Sequence, residues 1–293
     1  MLGREVLQQT VKAFFDKKDS KEFVNVLEAY HSVPHLRIVA EEMAKLSMQD
    51  VEKGFFLLTT LSVSEKDVVR ETSALCLGEI SKLVKWERIA PFLERLANDS
   101  KWEIREAAAS GTKKALSINF DEVFPTLIVW SKSPEENLRR ATVISVMQGS
   151  LEEEEKVRRI LNLLEGLLCD RSLYVRRNLG PFALGYLGYR YPGIVLPKLS
   201  LWEDSEDEVK RWNVAMAFSQ ALGRRHPKEA LEILTTLARD KRRFVWRAAV
   251  SSLVNIERAY PGLVISKVEG WIKDDTLKEV VEIFFKNLTN KTK

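Results

Sequence analysis

Apolar positions recur along this chain with helical spacing, and the segments that carry them recur at a nearly fixed interval. Six segments open on an apolar anchor: Val69-Arg70, Ile104-Arg105, Leu138-Arg139, Val175-Arg176, Val209-Lys210 and Val245-Trp246. The anchors lie 35, 34, 37, 34 and 36 residues apart. From each anchor, apolar or small residues return at +3, +4, +7, +8 and often +11. Ile104 leads to Ala107, Ala108, Gly111, Thr112 and Ala115; Val245 leads to Ala248, Ala249, Ser252, Leu253 and Ile256. That spacing puts them on one stripe of an α-helix, and small residues at +3 and +4 let neighbouring helices approach closely. A period in the 30s predicts stacked helix pairs, because one pair cannot bury its own apolar stripe.

Punctuation supports the same division. Ser64…Asp67, Ser100…Glu103, Ser133…Glu136 and Ser205…Glu208 predict capping boxes ahead of four anchors. Tyr191-Pro192, His226-Pro227 and Tyr260-Pro261, at intervals of 35 and 34, mark where an anchor helix ends and the next unit begins. No alternating run of β-branched residues is long enough for a sheet. The expected fold is all-α: a right-handed α-solenoid of about seven helix pairs with a concave basic face. One such solenoid is expected over residues 1–293. Within it, 1–62 are less regular N-terminal helices, 63–260 regular repeats and 261–293 a C-terminal cap.

Helical angles then sort the polar columns. Position +1 flanks the buried stripe, so Arg70, Arg105, Arg139, Arg176, Lys210 and Trp246 read as a ladder between repeats. Position +2 falls on the solvent side and holds Glu71, Glu106, Arg140, Arg177, Arg211 and Arg247. Second helices line one face of a solenoid, so these arginines should form a stripe about 10 Å apart. The whole chain carries only +4, from 46 Lys+Arg and 42 Asp+Glu, which does not demand a polyanion. Residues 171–260 nevertheless hold 16 basic against 9 acidic residues, and 12 of the basic ones are Arg, the residue that forks onto phosphate. Arg177, Arg211, Arg243 and Arg247 are therefore expected DNA contacts, since a one-sided arginine stripe suits a nucleic-acid backbone.

One constellation could carry chemistry. Trp102 at −2 and Glu106 at +2 of one anchor are i and i+4 on the solvent face, and Arg140 occupies the Glu106 column of the next unit. His31 and His35 are also i and i+4, but the third histidine is remote and no Cys or acidic motif accompanies them, so no metal is expected. Cys76 and Cys169 read as small core fillers. No glycine-rich phosphate loop, nucleophile elbow or CxxC occurs, and no cofactor is expected.

The order Trp102-Glu-Ile-Arg-Glu106, Asn137-Leu-Arg-Arg140-Ala-Thr-Val, Tyr174-Val-Arg-Arg-Asn-Leu-Gly180 and Tyr191-Pro192 resembles the HEAT-like-repeat DNA alkylation repair glycosylases, over about residues 95–260. The resemblance implies an enzyme that grips duplex DNA and excises cationic N3- or N7-alkylated purines. It places the catalytic roles on Trp102, Glu106 and Arg140. Two positions depart from the family pattern: Glu106 stands where the family has Asp, and Pro181, next to Phe182, stands where it has a second Trp. The alternative is a non-catalytic HEAT-repeat scaffold in which the same arginines bind an acidic protein partner. Two cysteines, no signal-like apolar start and no membrane-length apolar run lead to a cytoplasmic expectation without membrane association.

Overall fold

The computed structural model describes residues 2–17, 20–148, 151 and 153–290, and no strand occurs among them. No helix of the described residues is long and apolar enough to cross a membrane. The chain gathers into two compact units, Met1–Val146 and Met147–Lys293, each with its own core. Both are built of helix pairs stacked in the manner of a HEAT-like α-solenoid.

In the first unit the helices are α1 (Leu2–Lys17), α2 (Ser20–Ala29), α3 (Val33–Ser47), α4 (Val51–Leu61), α5 (Asp67–Glu79), α6 (Trp86–Ala97), α7 (Trp102–Ile118), α8 (Phe120–Trp130) and α9 (Glu136–Ser145). The odd-numbered helices pack side by side in chain order, and the even-numbered ones lie over them as a second layer. The expected stripe is the buried one: Ile104, Ala107, Ala108, Gly111, Thr112 and Ala115 are all buried. α5 and α7 cross closely. A methyl carbon built on Gly78 would lie 2.5 Å from Gly111 Cα, so only the absence of a side chain permits this approach.

In the second unit the helices are α10 (Glu154–Leu167), α11 (Leu173–Asn178), α12 (Gly185–Arg190), α13 (Pro192–Glu203), α14 (Glu208–Ala217), α15 (Ala221–Arg225), α16 (Pro227–Ala238), α17 (Arg243–Ala259), α18 (Ile265–Glu269) and α19 (Lys278–Thr289). Pro192 and Pro227 open α13 and α16 as expected. Between α11 and α12 the turn Leu179–Leu184 is π-helical. Pro181 sits in it and supplies no N–H, so the regular ladder cannot run through. After α17 the buried Glu257 carboxylate accepts from the N–H groups of Gly262, Val264 and Ile265, at 2.5, 2.7 and 3.1 Å, and so ties down the chain leading into α18. Gly262 takes a φ of +90° there, a conformation that a side chain would strain.

The +1 column is structural. Arg70, Arg105 and Arg139 each donate to the carbonyls six and five residues earlier, such as Arg105 to Asp99 and Ser100 at 2.7 and 2.9 Å. Arg70 also bonds Asp99 of the next turn at 2.8 Å. Arg176 instead lies over the rings of Trp212 and Phe244, 5.4 and 5.0 Å from their centroids.

The expected capping boxes do not form. The helices start later, at Asp67, Trp102, Glu136 and Glu208, and the serines shape the turn before them. Ser64, Ser133 and Ser205 accept from the N–H two residues on. Asp207 caps α14 by accepting from Val209 and Lys210. Cys76 is buried as expected, and burial pushes its thiol pKa up. Cys169 is not a core filler; it is exposed just after α10, where the chain leaves the stripe.

Candidate functional site

Trp102 is the first residue of α7, and Glu106 follows one turn later on the side away from the buried Ile104. α9 packs beside α7, which brings Arg140 against Glu106: the guanidinium Nη2 donates to Oε2 at 2.6 Å. Trp102 is 62% exposed, an unusual state for the largest apolar side chain. The three residues read from the sequence thus share one surface of the first unit.

The structure adds neighbours that the sequence reading passed over. A cleft of about 200 Å³ is walled by Trp102 and Glu106 of α7, Glu71 of α5, Arg37 of α3 and His31 in the turn before α3. His31 Nε2 lies 2.7 Å from Glu71 Oε2, and Glu71 is only 8% exposed. No local sequence signal joins residues 40 apart on different helices; their nearness follows from the side-by-side packing of α3, α5 and α7. His35 turns elsewhere: its Nδ1 is 2.8 Å from the Ser32 hydroxyl, and its ring meets Tyr30 edge-on.

The +2 column does not face solvent throughout. Glu106, Arg177 and Arg247 are accessible, whereas Glu71 is buried and the side chains of Arg140 and Arg211 are only 12% and 17% exposed. For the two arginines the cause is the adjacent helical repeat of the same unit, which supplies a counter-charge. Arg211 Nε lies 2.9 Å from Asp240 Oδ2, a carboxylate almost wholly enclosed. Burial opposes the charge on Asp240. Hydrogen bonds from the Arg242 side chain and backbone, with the charge of Arg211, outweigh it and hold the carboxyl below its ordinary pKa. Arg243 is exposed and 3.1 Å from the equally exposed Glu279. Phe182, beside the buried Pro181, is 52% exposed. Among the described residues, no group of His, Cys, Asp or Glu is arranged to hold a metal ion.

Comparison with known proteins speaks to the fold. No known family model matches the chain, and no curated protein does. Among solved structures, smu.31 from Streptococcus mutans UA159 is 21% identical, with 72% of this chain and 97% of that one covered at a TM-score of 0.51. AlkD2 from Streptococcus mutans is also 21% identical, covering 60% of this chain and 87% of its own at a TM-score of 0.49. The karyopherin Kap121p, solved bound to the extreme C-terminus of the protein phosphatase Cdc14p, is 14% identical; 94% of this chain and 34% of that one are covered, at a TM-score of 0.47. The likeness to smu.31 shows a shared fold.

Proposed function

We propose that this chain binds duplex DNA in alkylation repair, and that the first unit hydrolyses the N-glycosidic bond of cationic N3- or N7-alkylated purines. The observation that carries this reading is the meeting of an exposed Trp102 with the 2.6 Å Glu106–Arg140 pair on one surface. Cleavage of that bond builds positive charge on the sugar. The Glu106 carboxylate stands against this charge, Arg140 holds the carboxylate in place, and Trp102 attracts the cationic base through its π-face. Glu106 is one methylene longer than the Asp of the family pattern, and the longer arm still reaches its arginine.

Release of 7-methylguanine or 3-methyladenine from methylated duplex DNA tests the proposal. Glu106→Gln keeps the size and removes the charge, so the rate should fall about 100-fold or more. Full activity in that variant would place the chemistry elsewhere. A wild-type protein that binds the duplex and releases no base would be a silent binder. Pro181 in place of a second aromatic wall favours that second reading, a scaffold whose exposed Arg177 and Arg247 hold an acidic protein partner.

A further inference from the structure

His31 stands in the wall of the cleft, and the roles given above to Trp102, Glu106 and Arg140 leave it without a task. Its imidazole is half exposed, while the carboxylate that holds its Nε2 is enclosed. That arrangement fixes the ring. Nε2–H donates to Glu71, so the neutral imidazole keeps its lone pair on Nδ1. Nδ1 has no protein partner among the described residues. Glu106 is different, because its Oε2 is taken by the Arg140 guanidinium. One cleft thus offers a carboxylate engaged by an arginine and an imidazole whose Nδ1 is open.

We infer that His31 is the general base of the cleft and Glu71 its positioning residue; the inference rests on the glycosylase reading. A water O–H bond breaks and its proton goes to His31 Nδ1. The water oxygen bonds the sugar C1′ as the C1′–N bond breaks. The electron pair of that bond leaves with the purine, quenching its positive charge, and the imidazolium then returns its proton to solvent. Arg37 and Glu103 border the same cleft and take no part in the transfer.

Two measurements on the full chain test the assignment. In single-turnover release of 7-methylguanine, His31→Gln should lower the rate constant about 10²–10⁴-fold, with a far smaller change in duplex Kd. In ¹⁵N NMR, the neutral His31 ring should carry its proton on Nε2. Glu71→Ala should scramble that tautomer, and Glu71→Gln, whose amide oxygen still accepts, should preserve it. A duplex carrying a cationic pyrrolidine in place of one deoxyribose should move the Nδ1 resonance. A rate unchanged in His31→Gln, a proton found on Nδ1, or an Nδ1 signal unmoved by the pyrrolidine duplex each overturns the assignment. If the wild type binds the duplex and releases no base, the glycosylase reading falls. The Nδ1 response then decides alone whether His31 meets the bound strand or only braces the fold.

Discussion

Arg70, Arg105 and Arg139 show how much a side chain's role depends on one step of helical phase. At +1 they clamp carbonyls of the preceding turn; at +2, one residue on, Arg140 reaches Glu106 of the neighbouring helix instead. Glu203, at the end of α13, shows what burial does to a single carboxyl group. Burial, with the nearby charges of Asp204 and Glu232, pushes its carboxyl pKa up to about 7 against the pull of Arg211, and its Oε2 is enclosed without a hydrogen bond. A folded-state value above the ordinary 4.5 means that the folded chain keeps this proton more readily than the unfolded one. Its stabilising contribution is complete below about pH 4.5 and is lost as pH rises through about 7. Glu203→Gln should therefore raise the melting temperature at pH 8 and leave it nearly unchanged at pH 4.5. Because the residue is only half buried, solvent screening reduces the gain to about 1 kcal/mol, or about 2–4 °C. Melts that differ equally at both pH values would refute this origin.

At the scale of elements, the close crossing of α5 and α7 sets opposite signs for one substitution at two places. A methyl group at Gly111 would run into the Ala74 carbonyl oxygen, whereas nothing lies within 4 Å of the same position at Gly166 on α10. Alanine gains about 1 kcal/mol over glycine inside a helix, and forced separation of packed helices costs about 1–3 kcal/mol. Gly111→Ala should be destabilising on balance, and Gly166→Ala stabilising by up to about 1 kcal/mol, in urea titration. If the two shift the midpoint in the same direction, the crossing is looser than its geometry implies. A further regularity lies in the covering layer: Pro91, Pro125 and Pro197 are each the sixth residue of their helix, in α6, α8 and α13. Each removes one N–H from the ladder at the same height in its repeat.

At the scale of the whole molecule, the charge balance matters more than the net charge. The basic excess of residues 171–260 is divided between arginines that hold the fold and arginines left in solvent. Arg211 is enclosed beside Asp240, whereas Arg177 and Arg247 are exposed and make no ion pair among the described residues. Replacing Arg177 and Arg247 with Ala should weaken duplex binding across sequences and lower the slope of log K against log salt by about 2, near 0.9 per phosphate contact. Arg211→Ala should instead cost about 1–3 kcal/mol of stability, because it leaves Asp240 with Arg242 alone. Binding that is insensitive to salt, or equal in the double variant, would remove the arginines from any nucleic-acid track.

Residues related by a fixed number of bonds along one helix could be read in advance. The stripes from Ile104 and Val245, and the shared face of Trp102 and Glu106, follow from 3.6 residues per turn alone. The pairing of Glu106 with Arg140 was legible as well, since equal columns of successive repeats become neighbours. Helix starts were less so: Arg70, Arg105 and Arg139 take carbonyls of the turn before them, and α14 is capped by Asp207 instead of the expected serine. The fates of the +2 residues were settled only by packing. Glu71 lies beneath His31, Arg211 lies against Asp240, and Arg177 and Arg247 stay in water. An amphipathic period states which side of a helix is apolar. Whether a charge on the other side is paired or solvated depends on what the next helix brings within about 4 Å, and that is a property of the stack.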